Sequence, residues 1–130
     1  MDILPKEDLL IEPSATLVFK GSPVRPEQLQ FTLKNRTAKR VAFKIKSTNA
    51  SMYKIEPMIG FITGQGYQKI MIERTSYIPE KYRKTDKLLV MHIYCPTETN
   101  CKKAWVDASD PKKQRMVIEL APESEAAEEL

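Results

Sequence analysis

The sequence predicts an all-β protein, a seven-stranded antiparallel β-sandwich of immunoglobulin-like architecture. Apolar and polar residues alternate with a period of two along most of the chain, as they do in half-buried strands. Nine prolines among 130 residues favour short strands and turns over long helices. About seven alternating runs follow one another at regular spacing with turn signals between them, which is typical of a sandwich.

The N-terminal half is predicted to contain an edge strand, a hairpin and a short strand. The run LLIEPSATLVF indicates one edge strand interrupted by Pro13, because proline is tolerated at an edge and not in a central strand. LQFTLKN and RVAFKIKST flank the polar connection NRTAK, as the two arms of a hairpin do. The next run, MYKIEP, is a short strand that Pro57 stops.

The C-terminal half adds three strands and one helical turn. We expect the glycine-rich GQG segment at residues 64–66 to form a turn with positive φ, ahead of a strand that contains Ile70 and Ile72. DKLLVMHIY is the most apolar run, and QRMVIEL is the last strand. Between them, NCKKAWVDASD predicts a short helical turn that buries Trp105. The core residues expected from the alternation are Phe31, Phe43, Ile45, Ile70, Val90 and Ile118.

Charge is distributed unevenly along the chain. The net charge is +4, yet five glutamates and no base lie from Glu119 onward, so the remainder carries 21 bases against 12 acids. Residues 28–55 contain seven Lys or Arg and no acid, and Lys44, Lys46 and Thr48 share the outward phase of a strand there. This basic body predicts an anionic partner, with an acidic peptide or protein surface as the best candidate. The alternative left open is that the lysines only solvate a sheet face.

The sequence argues against catalysis and against cofactors. His92 is the one histidine and lies within an apolar run, where we expect it to pack on a sheet rather than act as a base. The chain has no zinc-ligand pattern, and its GQG segment is too short for a phosphate loop. We therefore predict a non-enzyme with no cofactor and no metal. We also predict no nucleic-acid binding, because Phe31 and Phe43 fall on the inward phase and leave no exposed aromatic residues among the bases.

The sequence also predicts a location and a division of the chain. The N-terminus MDILPKEDLL has no basic leader before an apolar run, and no apolar segment approaches the roughly 20 residues of a membrane helix. These features predict a cytoplasmic protein without an integral membrane segment, in which a disulfide between Cys95 and Cys101 is disfavoured. We expect an N-terminal arm at residues 1–8, one domain at 9–121 and an acidic tail at 122–130.

Five sequence blocks resemble, in their order, the major sperm protein (MSP) domain. They are LVFKGS, FTLKNRTAKRVAFKIKSTN, YKIEPMIGFITGQG, DKLLVMHIY and KKQRMVIEL, and the resemblance covers about residues 9–121. It implies the seven-stranded immunoglobulin-like sandwich of that family. Two branches share the domain: proteins of the nematode sperm cytoskeleton, and the vesicle-associated-membrane-protein-associated proteins, which bind acidic FFAT peptides (two phenylalanines in an acidic tract).

The second branch implies a binding site, because in that branch a cationic sheet face receives the acidic peptide. The alternation agrees with this implication, since Lys87, Leu89 and Met91 share one face of their strand. The lysines would attract the acidic tract, and Leu89 with Met91 would offer an apolar patch to an aromatic anchor. The residues predicted to bind a partner are Lys44, Lys46, Thr48, Lys87, Leu89, Met91 and Lys113.

Departures from the second branch favour the first. The sequence shows none of the coiled coil and tail anchor that usually follow, RTA replaces a loop proline, and Leu89 replaces a methionine. YKIEPMIGFITGQG and the single-domain length look like the small nematode accessory proteins, and the lysine content favours an accessory partner over a filament subunit. The predicted function is therefore to bind or stabilise MSP filaments of the sperm cytoskeleton, in association with that cytoskeleton. The alternative is a soluble adaptor for acidic FFAT-like peptides, and a homodimer is left open.

Overall fold

The computed structural model describes residues 8–82, 84–106 and 108–122. The predicted N-terminal arm and acidic tail therefore lie almost wholly outside the described residues. Within those residues the chain forms nine strands, one short helix and one turn of 3-10 helix. The elements are β1 (Leu9–Glu12), β2 (Thr16–Phe19), β3 (Glu27–Asn35), β4 (Val41–Ser47), β5 (Tyr53–Glu56), β6 (Ile59–Ile62), β7 (Tyr67–Arg74), the 3-10 turn (Pro79–Lys81), β8 (Thr85–Tyr94), α1 (Cys101–Val106) and β9 (Lys112–Leu120).

The strands form two sheets that pack face to face. One sheet has four strands in the order β1-β3-β7-β5, and the other has five in the order β2-β9-β8-β4-β6. Neighbouring strands are antiparallel except β2 and β9, which run parallel. The prediction of an all-β sandwich is confirmed, with one parallel pair at the edge of an otherwise antiparallel architecture.

The structure has nine strands rather than about seven because the predicted edge strand divides at Pro13 and a further strand, β6, follows Pro57. The predicted hairpin is wrong, since its two arms, β3 and β4, lie in different sheets. The N-terminal run divides at Pro13 into β1, which pairs with β3, and β2, which pairs with β9 in the other sheet. Pro57 separates β5 from β6, which forms the opposite edge of the five-stranded sheet. Proline has no N–H to donate to a ladder, so a proline is a place where pairing with one neighbour can stop and pairing with another can begin.

The hydrophobic core lies between the two sheets and contains the residues that the alternation predicted. Each of the six is at most 1% exposed, which confirms that prediction. The ring of Phe43 packs directly against the backbone of the neighbouring strand at Gly60, where a Cβ atom would lie 2.9 Å from the ring atom Cε1. Glycine is needed at this position because any other side chain would overlap the buried ring.

A buried arginine ties the loop between β2 and β3 to the sandwich. The guanidinium of Arg74 is fully buried and donates to the carbonyl oxygens of Ser22, Arg25 and Thr75 at 2.9–3.2 Å. It also lies 3.3 Å from Glu27 Oε1, which accepts a bond from the Gly21 N–H as well. Arg74 was not predicted from the sequence, since an arginine at a strand end gives no local sign that it is buried.

The glycine-rich turn before β7 is present and contains the positive φ that was predicted for it. The positive φ, 61°, is at Gln65, and neither flanking glycine has one. Gly64 is required for space, because a Cβ there would lie 2.2 Å from the carbonyl oxygen of Ala38. Asn35 holds the same region together: its buried side-chain amide donates to the carbonyl oxygens of Lys39 and Thr63 at 2.7 and 3.0 Å.

Candidate functional site

Seven residues predicted to bind a partner come together on the outward side of three adjacent strands. β4 and β9 lie on either side of β8 in the five-stranded sheet, so all three strands present one continuous surface. Alternation sends the complementary set of side chains into the core, which leaves these seven on the outside. We call this surface the basic face. It consists of these seven residues and Arg115 of β9: Lys44, Lys46, Thr48, Lys87, Leu89, Met91, Lys113 and Arg115.

Strand register arranges the basic face in rows that cross the sheet. Lys44 lies opposite Met91, which lies opposite Lys113 on the other side. In the next row, Lys46 lies opposite Leu89, and Leu89 lies opposite Arg115 on its other side. Because adjacent strands are about 4.8 Å apart, Leu89 and Met91 each have a cation on both sides.

Arg115 was not among the predicted residues, although the sequence contained the signal for it. Met116 and Ile118 alternate inward along β9, which places residues 113, 115 and 117 outward together. Arg115 is exposed and extends the row of Leu89. It increases the positive charge beside the one apolar side chain that is open to a partner in that row.

Exposure differs along the basic face. The side chains of Lys46, Lys87 and Lys113 are exposed, whereas Lys44 and Leu89 are half-buried. Met91 is only 6% exposed, so it offers a partner much less surface than the alternation alone indicated. The apolar contribution of this face therefore comes chiefly from Leu89.

Hydrogen bonds hold one end of the face in place. The Lys87 N–H donates to Thr48 Oγ1 at 3.0 Å, and the Thr48 N–H donates to the Lys87 carbonyl oxygen at 3.0 Å. Asp86, buried beneath them, accepts from the Tyr53 hydroxyl at 2.9 Å. Burial, together with this bond, raises the pKa of Tyr53. Thr48 thus positions the backbone around Lys87, and its hydroxyl is already engaged within the protein.

None of the cations of the basic face forms an ion pair within 4 Å among the described residues. The three ion pairs found there join Lys34 to Glu12, Arg74 to Glu27 and Lys112 to Asp8, and none involves a residue of the face. An uncompensated cluster of this kind attracts anionic groups over a distance set by the Debye length, about 8–10 Å near physiological salt.

Helix α1 lies beside the basic face and bounds it at the β6 side. α1 packs near β6, and the indole of Trp105 comes within reach of the face, with its ring centroid 5.9 Å from Lys44 Nζ. The predicted helical turn is present, and Trp105 is half-buried rather than fully buried. An aromatic wall at the end of a row of lysines adds a second apolar surface next to the cations.

The remaining polar candidates lie away from this face. His92 is 2% exposed and points into the sandwich, and neither of its ring nitrogens has a hydrogen-bond partner among the described residues. Cys95 and Cys101 are both free thiols, and burial raises the pKa of Cys101. The described part of the chain holds no group of three or more side chains suited to binding a metal ion. In that part there is also no helix with the length and apolar character needed to cross a bilayer.

Comparison with known proteins identifies related sequences. The family model described as MSP (Major sperm protein) domain matches residues 8–115. Sperm-specific class P protein 19 of Caenorhabditis elegans is 37% identical over 75 residues, which cover 57% of this chain and 65% of that protein. Human vesicle-associated membrane protein-associated protein B/C is 30% identical over 124 residues, covering 90% of this chain and 51% of its own. The chain thus spans under two thirds of either relative.

Solved structures agree with the fold. The structure of SSP-19, an MSP-domain protein like family member in C. elegans, superposes with a TM-score of 0.73 at 26% identity, covering 85% of this chain and 97% of that one. WR4, a C. elegans MSP family member, gives a TM-score of 0.71 at 20% identity over 89% of this chain and 98% of its own, and shares the fold.

Proposed function

Since the chain belongs to the MSP (major sperm protein) domain family, we propose that it is a non-enzymatic protein-interaction domain whose basic face binds an acidic segment of another protein. Its cellular role is that of an accessory component that binds or stabilises MSP filaments of the sperm cytoskeleton, in the cytoplasm. Binding needs no nucleotide and no metal, because surface complementarity supplies the affinity.

The observation that carries this proposal is the row formed by Lys46, Leu89 and Arg115. Two cations flank a half-buried apolar side chain there, with Lys87 and Lys113 in the neighbouring rows. Cations speed the encounter with an acidic segment, while an apolar side chain buried on docking slows its release. An apolar side chain between cations offers a partner a contact that charge alone does not provide.

Relatives support two versions of this role. The class P relatives are named as sperm-specific, which favours the sperm cytoskeleton. The vesicle-associated relatives match over 90% of this chain, which supports the alternative of an adaptor for acidic FFAT-like peptides, the ligand that the resemblance to that branch implies. Both versions use the same face and differ in the partner.

The test is a pair of charge reversals of equal size on opposite sheets. Lys46→Glu lies on the basic face, and Lys54→Glu is an exposed position of β5 on the other sheet. The ligand is a synthetic acidic peptide of about twelve residues with a phenylalanine in the acidic tract. We expect Lys46→Glu to weaken peptide binding about tenfold or more at low salt, and Lys54→Glu to change it little.

Sedimentation with preformed MSP filaments, using the same two variants, identifies the partner. Loss of cosedimentation in Lys46→Glu alone supports the accessory role. Peptide binding without cosedimentation supports the adaptor. If both variants bind the peptide and cosediment like the parent, the basic face is a solvated surface and the proposal is wrong. Circular dichroism of each variant is the control for folding.

A further inference from the structure

The acidic segment Glu123–Leu130 has no role in the function proposed above, and its composition suggests one. We propose that this segment docks on the basic face of its own chain and competes there with the acidic partner. The proposal rests on the proposed function for its biological meaning. The contact itself can be tested without any partner.

The chemistry of the segment matches the chemistry of the face. ESEAAEEL carries four glutamates and no base, and it ends in the apolar Leu130. The face presents the opposite charges, unpaired with any described carboxylate, around the half-buried Leu89. An acidic tract followed by an apolar side chain is the same combination that the proposed partner would present, so the segment can occupy the same place.

The position at which β9 ends determines how far along the basic face the segment can extend. β9 ends at Leu120, and Ala121 is still held to the sheet by its N–H, which donates to the Phe19 carbonyl oxygen at 2.9 Å. Lys87 lies opposite Val117, five residues back from Pro122 along β9. That is about 17 Å along the strand and about 5 Å across it, so roughly 18 Å in all.

A chain that folds back over the face can cover this distance. At about 3.3 Å per residue, Glu128 lies up to roughly 20 Å from Pro122, and Leu130 up to roughly 26 Å. Glu128 and Glu129 therefore reach the level of Lys87, and Leu130 reaches the row of Leu89. Glu123 and Glu125 are at most roughly 10 Å of extended chain from Pro122, which is too short to reach Lys87. Glu128 and Glu129 are thus the acids expected to make the useful contacts.

Because the segment is attached to the face that it would cover, a weak contact suffices. Attachment through a short stretch of chain gives an effective concentration of the order of millimolar, so an interaction of millimolar strength would cover the face much of the time. The contact between exposed charges should weaken as salt rises. The segment then reduces the affinity for an acidic partner and rejects weakly acidic competitors.

The test compares two double variants that change the net charge equally. Glu128→Gln with Glu129→Gln removes two charges from the segment, and Glu56→Gln with Glu73→Gln removes two from the outer side of the four-stranded sheet. The first readout is the set of backbone amide NMR signals of the parent and both variants, without any ligand. The second is the affinity of the acidic peptide described above at low and at high salt.

We expect the segment variant to shift the amide signals of Lys46, Lys87 and Leu89 at low salt, and we expect these shifts to fade at 0.5 M salt. We also expect it to bind the peptide about threefold more tightly than the parent, while the matched variant binds like the parent. If the segment variant shifts only residues near its own substitutions, the docking proposal is wrong whatever the peptide does. If the shifts appear and no protein binds the peptide, the contact stands and the proposed function fails.

Discussion

Lys46 and Leu89 lie directly opposite each other on β4 and β8, so that a cation and an apolar side chain occupy one row of the outer sheet surface. Lys46 is exposed, and Leu89 is half-buried. The two residues should contribute to binding by different physical effects. Charge acts at a distance and is screened by salt, whereas apolar contact acts only on burial and is not.

Truncation of Leu89 should therefore weaken partner binding in a way that salt does not alter. We expect Leu89→Ala to lower the affinity for the acidic peptide about tenfold at both 0.05 and 0.5 M salt, because the apolar contact is lost in each case. Leu89→Met, which keeps an apolar side chain of similar size, is the matched control and should bind like the parent. An effect of Leu89→Ala that disappears at high salt would contradict this division of roles.

Phe43 and Gly60 should be energetically coupled. Phe43→Ala removes a fully buried ring and should cost about 3–5 kcal/mol of unfolding free energy. Gly60→Ala in the parent forces a methyl group against that ring and should cost about 1–3 kcal/mol. In the Phe43→Ala background the same change should cost much less, since the ring is gone. Urea denaturation of the four proteins measures the coupling, and simple additivity would contradict it.

Arg74 should be irreplaceable by lysine. Its guanidinium donates to three carbonyl oxygens from one buried position, and a single ammonium group cannot reproduce that fork. We expect Arg74→Lys to lower the unfolding free energy by about 2 kcal/mol or more. Glu27→Gln, which keeps an acceptor for the Gly21 N–H, should cost less. Equal losses in the two variants would assign the stabilisation to the ion pair instead.

His92 should make the protein less stable in mild acid. Burial lowers the pKa of His92, and nearby Lys112 lowers it further, while Asp8 opposes both. As pH falls through about 6.5, the unfolded chain therefore binds a proton that the folded chain does not yet bind. Linkage then requires the unfolding free energy to fall, by at most about 2 kcal/mol between pH 7.5 and pH 5.

The control for this pH dependence is His92→Leu, which removes the titrating group from a buried position. Its unfolding free energy should change less between pH 7.5 and pH 5 than that of the parent. Asp8 does not interfere in this interval: hydrogen bonds from Tyr94 and Lys112 lower the pKa of Asp8, so its contribution is lost only in stronger acid. Parallel pH profiles for parent and variant would show that another group is responsible.

Much of the fold and part of the candidate site followed from local patterns. The period of two in QFTLK and VAFKI assigned Phe31, Phe43 and Ile45 to the core, and the same period left Lys44 and Lys46 outside. These assignments depend only on residues next to one another in the chain. Alternation on a strand decides which side chains share a face, whatever the strand pairs with.

Other features depended on contacts between distant parts of the chain. Arg115 becomes part of the face because β9 pairs with β8, and Met91 is almost fully buried although its strand phase is outward. Arg74 is buried by a loop some fifty residues earlier in the sequence. Alternation along β9 could have placed Arg115 outward, but neither an exposed fraction nor a neighbouring strand is a local property, so no local pattern could reveal the burial of Met91 and Arg74 or the strand that Arg115 lies beside.

The sequence by itself determined the all-β class, the core-facing residues and the sign of charge on one side of a sheet, because strand geometry converts a local alternation into two faces. Tertiary structure alone decided which strands lie side by side, and therefore that Lys46, Leu89 and Arg115 form one row. It also decided that the chain changes sheets at Pro13 and Pro57. Both outcomes arise from packing one sheet against another, which brings together residues far apart in the chain.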